Sequence, residues 1–146
     1  MQDSPKNGRE MTDHIFVYGT LMRGQSNHRL IEGKYQSVRS AATRGLLFDL
    51  GAFPGAIFTD IPELHMGYGY GDFIFGEVFT FTNVETILPA LDRLEGVPTL
   101  YRRVQVRLCD PETLEPDDTK AWAYEFHRRP SDDQFIPNGI WQGRNH

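Results

Sequence analysis

Two short stretches carry the residues with the most chemistry to offer. Glu95 lies in LDRLEGV, just before Gly96, and Tyr18-Gly19-Thr20-Leu21 follows the apolar run Ile15-Phe16-Val17. A carboxyl at a helix C-terminus sits against the partial negative charge of the helix dipole, which disfavours its ionised form. Leu91 and Leu94 are expected to face the core. That places Glu95, four residues after Leu91, beside the apolar face, and desolvation acts in the same direction as the dipole. A carboxyl with raised proton affinity suits a step in which one group both accepts and gives a proton. The position alone also fits a solvated glutamate at a helix end, since glutamates are rarely buried. In the other stretch, Gly19 permits a turn and leaves N–H groups open to a ligand, and such groups can hold an oxygen as charge develops on it. The plain reading there is a strand that simply ends.

Other chemistries find little support. His14, His28, His65, His127 and His146 are scattered, with no two of them three or four residues apart, and one cysteine adds no ligand cluster. The expectation is no metal and no cofactor. Cys109 excludes an internal disulfide and reads as an ordinary strand residue. No Gly-x-Ser-x-Gly is present. GTLMRG lies between a strand and a candidate helix but lacks the lysine and threonine of a phosphate loop and the spacing of a dinucleotide fingerprint.

Composition narrows the class further. A chain of 146 residues, 39% apolar and 12% aromatic, has the means for one packed core. Its net charge of −5 makes it a poor holder of nucleic acid or of an anionic membrane. Arg102-Arg103 and Arg128-Arg129 are too small to form a basic stripe. No stretch is apolar enough to span a bilayer. Residues 1–12 are expected to be a disordered tail without the apolar middle of a signal peptide, ahead of one domain over 13–146, in a cytoplasmic setting.

These residues must be positioned by a chain rich in turns, with fourteen glycines and nine prolines. Ile15–Tyr18 predicts a strand buried on both faces. SNHRLIEG predicts a short helix capped by Ser26 or Asn27 and stopped at Gly33. YQSVRSAATRGLLFDLG reads as a strand, a break, and a second strand over Gly45–Leu50, with Pro54-Gly55 as a turn. Asp60–Asp72, containing MGYGYGD, reads as a loop. Phe73–Phe81 is the clearest strand, and Gly76 within it signals a bulge or a close backbone approach. Val84, Ile87, Leu88, Leu91 and Leu94 carry helical spacing, with Thr82 and Glu85 as a capping box and Gly96 as the stop. Pro89 predicts that the helix restarts there, leaving 83–87 as a separate turn. YRRVQVRLCD and KAWAYEFHRR predict a hairpin around the acidic turn PETLEPDD. FIPNGIWQGRNH is expected to pack back on the body. Short strands with one good helix and one marginal one indicate an α+β fold, most simply a small mixed or antiparallel barrel-like sheet with helices on one side.

Taken in order, the motifs resemble the gamma-glutamylcyclotransferase-like family, which includes the gamma-glutamylamine cyclotransferases and the plant avirulence-induced proteins. FVYGTLMRGQSNH resembles the family's opening strand and loop, and FGEVF its central strand. LDRLEGV followed by YRRVQV resembles its catalytic helix end and next strand. AWAYEF resembles its Trp-x-Tyr strand, and IPNGIW a C-terminal segment of bacterial members. The series runs from His14 to Gln142.

The resemblance implies a barrel of about six strands flanked by short helices. It implies Glu95 as catalytic acid/base, with Tyr18, Gly19, Thr20, Leu21 and Tyr124 lining the pocket for a small-molecule gamma-glutamyl substrate. Arg103 matches a recurring arginine with a structural role. Phe79 stands where many members have tyrosine. The chain between Phe53 and Gly76 is longer than the family spacing, as though a loop were inserted beside the pocket. The chemistry implied is cyclisation of a gamma-glutamyl amine or amide to 5-oxoproline, with no cofactor. Two other readings stay open: a binding module on the same fold without turnover, and an interaction protein presenting MGYGYGD. The leaving amine and the oligomeric state are not specified.

Overall fold

A computed structural model describes residues 13–62, 66–67 and 72–143. The expected tail over residues 1–12, and most of MGYGYGD, lie outside the described residues. The strands are β1 (His14–Val17), β2 (Ser37–Asp49), β3 (Pro54–Phe58), β4 (Asp60–Ile61), β5 (Met66–Gly67), β6 (Phe73–Thr80), β7 (Tyr101–Cys109) and β8 (Pro116–Phe126), and the single α-helix among the described residues is α1 (Leu88–Glu95).

The main sheet runs β3-β2-β6-β1-β8-β7, and β2 also pairs with β7, which closes β2, β6, β1, β8 and β7 into a barrel with β3 as an extra strand. β1 runs antiparallel to β6 and parallel to β8. This is the small mixed barrel of an α+β fold that the sequence predicts. β1 is apolar on both faces because it separates two cores. Phe16 and Tyr18 join Ile74, Val78, Val106 and Ala121 inside the barrel. Ile15 and Val17 join Phe79, Leu91 and Tyr124 in the layer beneath α1. Each buried side chain of this size contributes roughly 1.5–3 kcal/mol. Gly76 is required because β1 passes so close that a Cβ there would strike the Val17 carbonyl.

Several elements differ from expectation for identifiable reasons. The apparent break in β2 does not exist. Ser37–Arg44 pair with β6, Gly45–Asp49 pair with β3, and Ala42 and Thr43 also meet β7. The small residues that read as a break are what this crossing requires: a Cβ on Gly45 would stand 2.7 Å from the Ile57 carbonyl oxygen. Pro54-Gly55 is not a turn. It opens β3, an end strand that tolerates a proline, and the turn falls earlier, around Gly51 at φ 104°. Within the expected loop Asp60–Asp72, β4 and β5 form a short ladder, with Ile61 and Asp60 buried. The short helix after β1 is a 3₁₀ turn, His28–Leu30, and the side chain of Asn27 does not cap it. β8 begins at Pro116, inside the expected acidic turn.

α1 does restart at Pro89, which occupies its first turn, after a 3₁₀ turn at Val84–Thr86. Asn83 caps that turn by accepting from the Glu85 N–H, in place of the expected Thr82–Glu85 box. Gly96 ends α1 in the left-handed region at φ 70°. Leu91 is fully buried, but Leu94 is 38% exposed, so the last turn of α1 leans out from the core. The C-terminal segment returns to the body, where Phe135 pairs with Phe48 and Trp141 is buried. No helix among the described residues is long and apolar enough to cross a membrane.

Candidate active site

The C-terminal end of β1 and the last turn of α1 open on one small hollow. Glu95, Tyr18, Gly19, Thr20, Leu21 and Tyr124, the residues singled out from the sequence, all line it, together with Phe53, Pro54 and Tyr101. Its volume is about 40 Å³.

After β1 the chain turns sharply, and its carbonyls are taken up locally. Gly19 O accepts from Met22 N at 3.0 Å, and Thr20 O accepts from Asn27 N at 2.8 Å. Leu21 O accepts from His28 Nδ1 at 2.9 Å, which fixes the imidazole tautomer with its proton on Nδ1. The Asn27 side-chain amide donates to Thr20 Oγ1 at 3.0 Å. At the far end, the Arg23 backbone N–H and Nε both donate to Glu77, each at 2.9 Å. By contrast, no described residue accepts from the N–H of Gly19, Thr20 or Leu21. The turn is thus held by its carbonyls and side chains, with three N–H groups that no described residue takes up.

Gly19 has a second reason to be glycine. A Cβ there would stand 2.6 Å from Pro54 Cγ and 2.7 Å from Pro54 Cδ. A larger residue at 19 therefore pushes first against Pro54, a wall of the hollow, and only then against a ligand.

Three tyrosines surround Glu95, and each has its hydroxyl proton committed elsewhere. Tyr18 donates to the Tyr124 carbonyl at 2.6 Å, and Tyr101 donates to the Pro54 carbonyl at 2.7 Å. Tyr124 donates to Asp92 Oδ1 at 2.6 Å. Burial drives all three phenols well above their ordinary range, and the Glu95 charge adds to this for each, so they stay neutral. No described residue forms a hydrogen bond or ion pair with the Glu95 carboxyl. Desolvation without a compensating donor pushes it up to about 7.

Asp92, Tyr101, Phe53 and Pro54 were not singled out from the sequence. Asp92 sits three residues before Glu95, one turn back on the same helix. Arg103 grips it through Nε at 2.9 Å and Nη2 at 3.1 Å, and its guanidinium lies 4.8 Å from the centre of the Trp122 ring. Arg103 is paired with Tyr124 across β7 and β8, so the ladder brings both onto Asp92. The clue available in the sequence was the i, i+3 spacing of Asp92 and Glu95. Phe53 and Pro54 were hidden by the misplaced turn.

A model of the family described as gamma-glutamyl cyclotransferase, AIG2-like, matches residues 15–143. The chain belongs to this family. Membership makes it an enzyme of the cyclotransferase type. It is 33% identical to a putative gamma-glutamylcyclotransferase of Vibrio cholerae over 132 residues, covering 87% of this chain and 93% of that one. It is 36% identical to the gamma-glutamylaminecyclotransferase of Mus musculus over 130 residues, 85% of each chain. The crystal structure of a mouse AIG2-like protein superposes with a TM-score of 0.64 at 24% identity, covering 91% of this chain and 90% of that one, which establishes the shared fold.

The Tyr101 hydroxyl ties β7 to the start of β3, and its removal leaves the Pro54 carbonyl buried without a partner. Tyr101→Phe is expected to lower stability by about 1–2 kcal/mol in denaturant unfolding. An unchanged midpoint would show that this bond does not hold Pro54 in place.

Proposed function

We propose that the protein converts a gamma-glutamyl amine or amide to 5-oxoproline and free amine, with Glu95 as general acid/base and the Tyr18–Leu21 turn as substrate cradle. The observation that carries this reading is the shared hollow, where a carboxyl without a partner among the described residues, pushed up to about 7, meets a turn with N–H groups that no described residue takes up. The substrate brings its own nucleophile. Its α-ammonium gives a proton to the Glu95 carboxylate. The freed amine attacks the γ-carbonyl, a C–N bond forms, and a five-membered lactam closes. The original γ-amide C–N bond then breaks as Glu95 returns the proton to the departing nitrogen, and the ring nitrogen gives its second proton to the Glu95 carboxylate, which passes it to the released amine, leaving a neutral lactam and an ammonium. Charge that develops on the carbonyl oxygen is met by N–H groups of the turn. Because nucleophile and electrophile share one molecule, little entropy remains to be lost; effective molarities in such closures reach roughly 10⁵ M or more. Tyr124, held by Asp92 and Arg103, supplies a rigid wall and leaves the proton shuttle to Glu95.

Incubation with a panel of gamma-glutamyl amines and gamma-glutamyl amino acids is expected to release 5-oxoproline from at least one of them. Binding across the panel with no lactam formed would replace this reading with that of a ligand-binding module.

A further inference from the structure

A gamma-glutamyl amide whose γ-carbonyl reaches Glu95 extends its departing amine outward from the inner hollow. A second cleft, of about 280 Å³, opens directly from the hollow, and Glu95, Thr20, Phe53 and Tyr101 line both. What the cleft adds is mostly apolar. Of the four large hydrophobic side chains exposed among the described residues, three form its wall: Phe53 at 36%, Leu94 at 38% and Leu100 at 40%. Ser26 and Asn27, polar and uncharged, also line it. Among the described residues no lysine or arginine lines it, and Arg102 and Arg103, which follow Tyr101, are committed to Glu125 and Asp92. This also explains why Leu94 departs from the core-facing stripe of α1: the last turn that places Glu95 turns Leu94 toward the cleft.

We propose that this cleft is the leaving-group subsite and that it selects an uncharged, apolar amine. The proposal rests on the cyclotransferase reading above. A leaving amino acid would carry its α-carboxylate into a cleft where no described residue supplies a cation to receive it and with Glu95 close by. A leaving diamine would carry an ammonium that loses hydration against three apolar walls. An alkyl or arylalkyl amine instead covers Phe53, Leu94 and Leu100 and removes their apolar surface from water.

The test compares γ-glutamyl-isoamylamide with γ-glutamyl-leucine, which differ only by the carboxylate. The γ-glutamyl derivative of 1,5-diaminopentane probes a cation, and γ-glutamyl-methylamide lacks the apolar chain. The isoamylamide is expected to exceed each of the other three in kcat/KM by about tenfold or more. Leu94→Lys and Leu100→Lys, both at exposed positions, are expected to lower the isoamylamide-to-leucine ratio by about tenfold. Equal or better turnover of the leucine or diamine derivative, or a ratio unmoved by both lysines, overturns the subsite assignment. Calorimetric titration of the same compounds into Glu95→Gln separates the two levels of the argument. Preferential binding of the isoamylamide with no turnover in the wild type would retain the subsite and overturn the cyclotransferase reading. Neither binding nor turnover of any of the compounds would overturn both.

Discussion

Glu95→Gln is expected to lower the turnover of a gamma-glutamyl amide by about a thousandfold, within the range for loss of a positioned general acid/base. Glutamine fills the same space among Tyr18, Tyr101 and Tyr124, so the hollow keeps its shape and the loss is read in kcat more than in KM. The shuttle must start as a carboxylate, and its proton affinity is centred at about 7. Wild-type kcat/KM is therefore expected to fall as pH drops below 7, with the slope of one proton. The substrate's α-ammonium, beside a free α-carboxylate, titrates higher, and a fit with two ionisations separates them. The acid limb belongs to the enzyme and is expected to be missing from the residual activity of the glutamine variant. Residual activity within tenfold of wild type, or the same limb in both proteins, would remove Glu95 from the proton transfer.

Residues whose local pattern and tertiary role agree were readable in advance. Ile15, Phe16 and Val17 are apolar in succession because β1 divides the barrel interior from the layer under α1, and the restart at Pro89 and the stop at Gly96 follow from backbone rules alone. Glu95 and the Tyr18–Leu21 turn stood out in the sequence because a carboxyl beside the apolar stripe of a helix and a glycine at the end of a buried strand each break the local pattern, and the structure brings them to one hollow. The rest depends on distant partners. Ala41, Ala42 and Gly45 resemble a break in β2 until three neighbouring strands are seen to crowd them. Pro54 looks like a turn former until Gly19 is found packed against its ring. Leu94 fits the helical stripe by spacing, yet α1 is too short to keep its last turn on the core. Asp92 is an unremarkable helical acid until the β7–β8 register delivers Arg103 and Tyr124 to it.

The feature that suits Glu95 for catalysis should also weaken the fold, and the same glutamine variant exposes this. The folded state holds the Glu95 proton up to about 7, against an ordinary value of 4.5. Between these values the folded protein binds more protons than the unfolded chain, so the contribution of Glu95 to stability falls as pH rises through the window. Below 4.5 the carboxyl is protonated in both states and costs nothing extra; above 7 the full cost of a desolvated, unpaired carboxylate is present. Discounted for the part of the side chain that still meets solvent, that cost is on the order of 2 kcal/mol. Glu95→Gln is therefore expected to be the more stable protein at pH 8.5, by about 5 °C in thermal unfolding for a chain of this size. The two proteins should converge near pH 4.5, where only a neutral side chain is compared with a neutral side chain. A variant that is less stable than wild type at pH 8.5 would mean that the carboxylate has a favourable partner in the folded state, and the basis for its raised proton affinity would be gone.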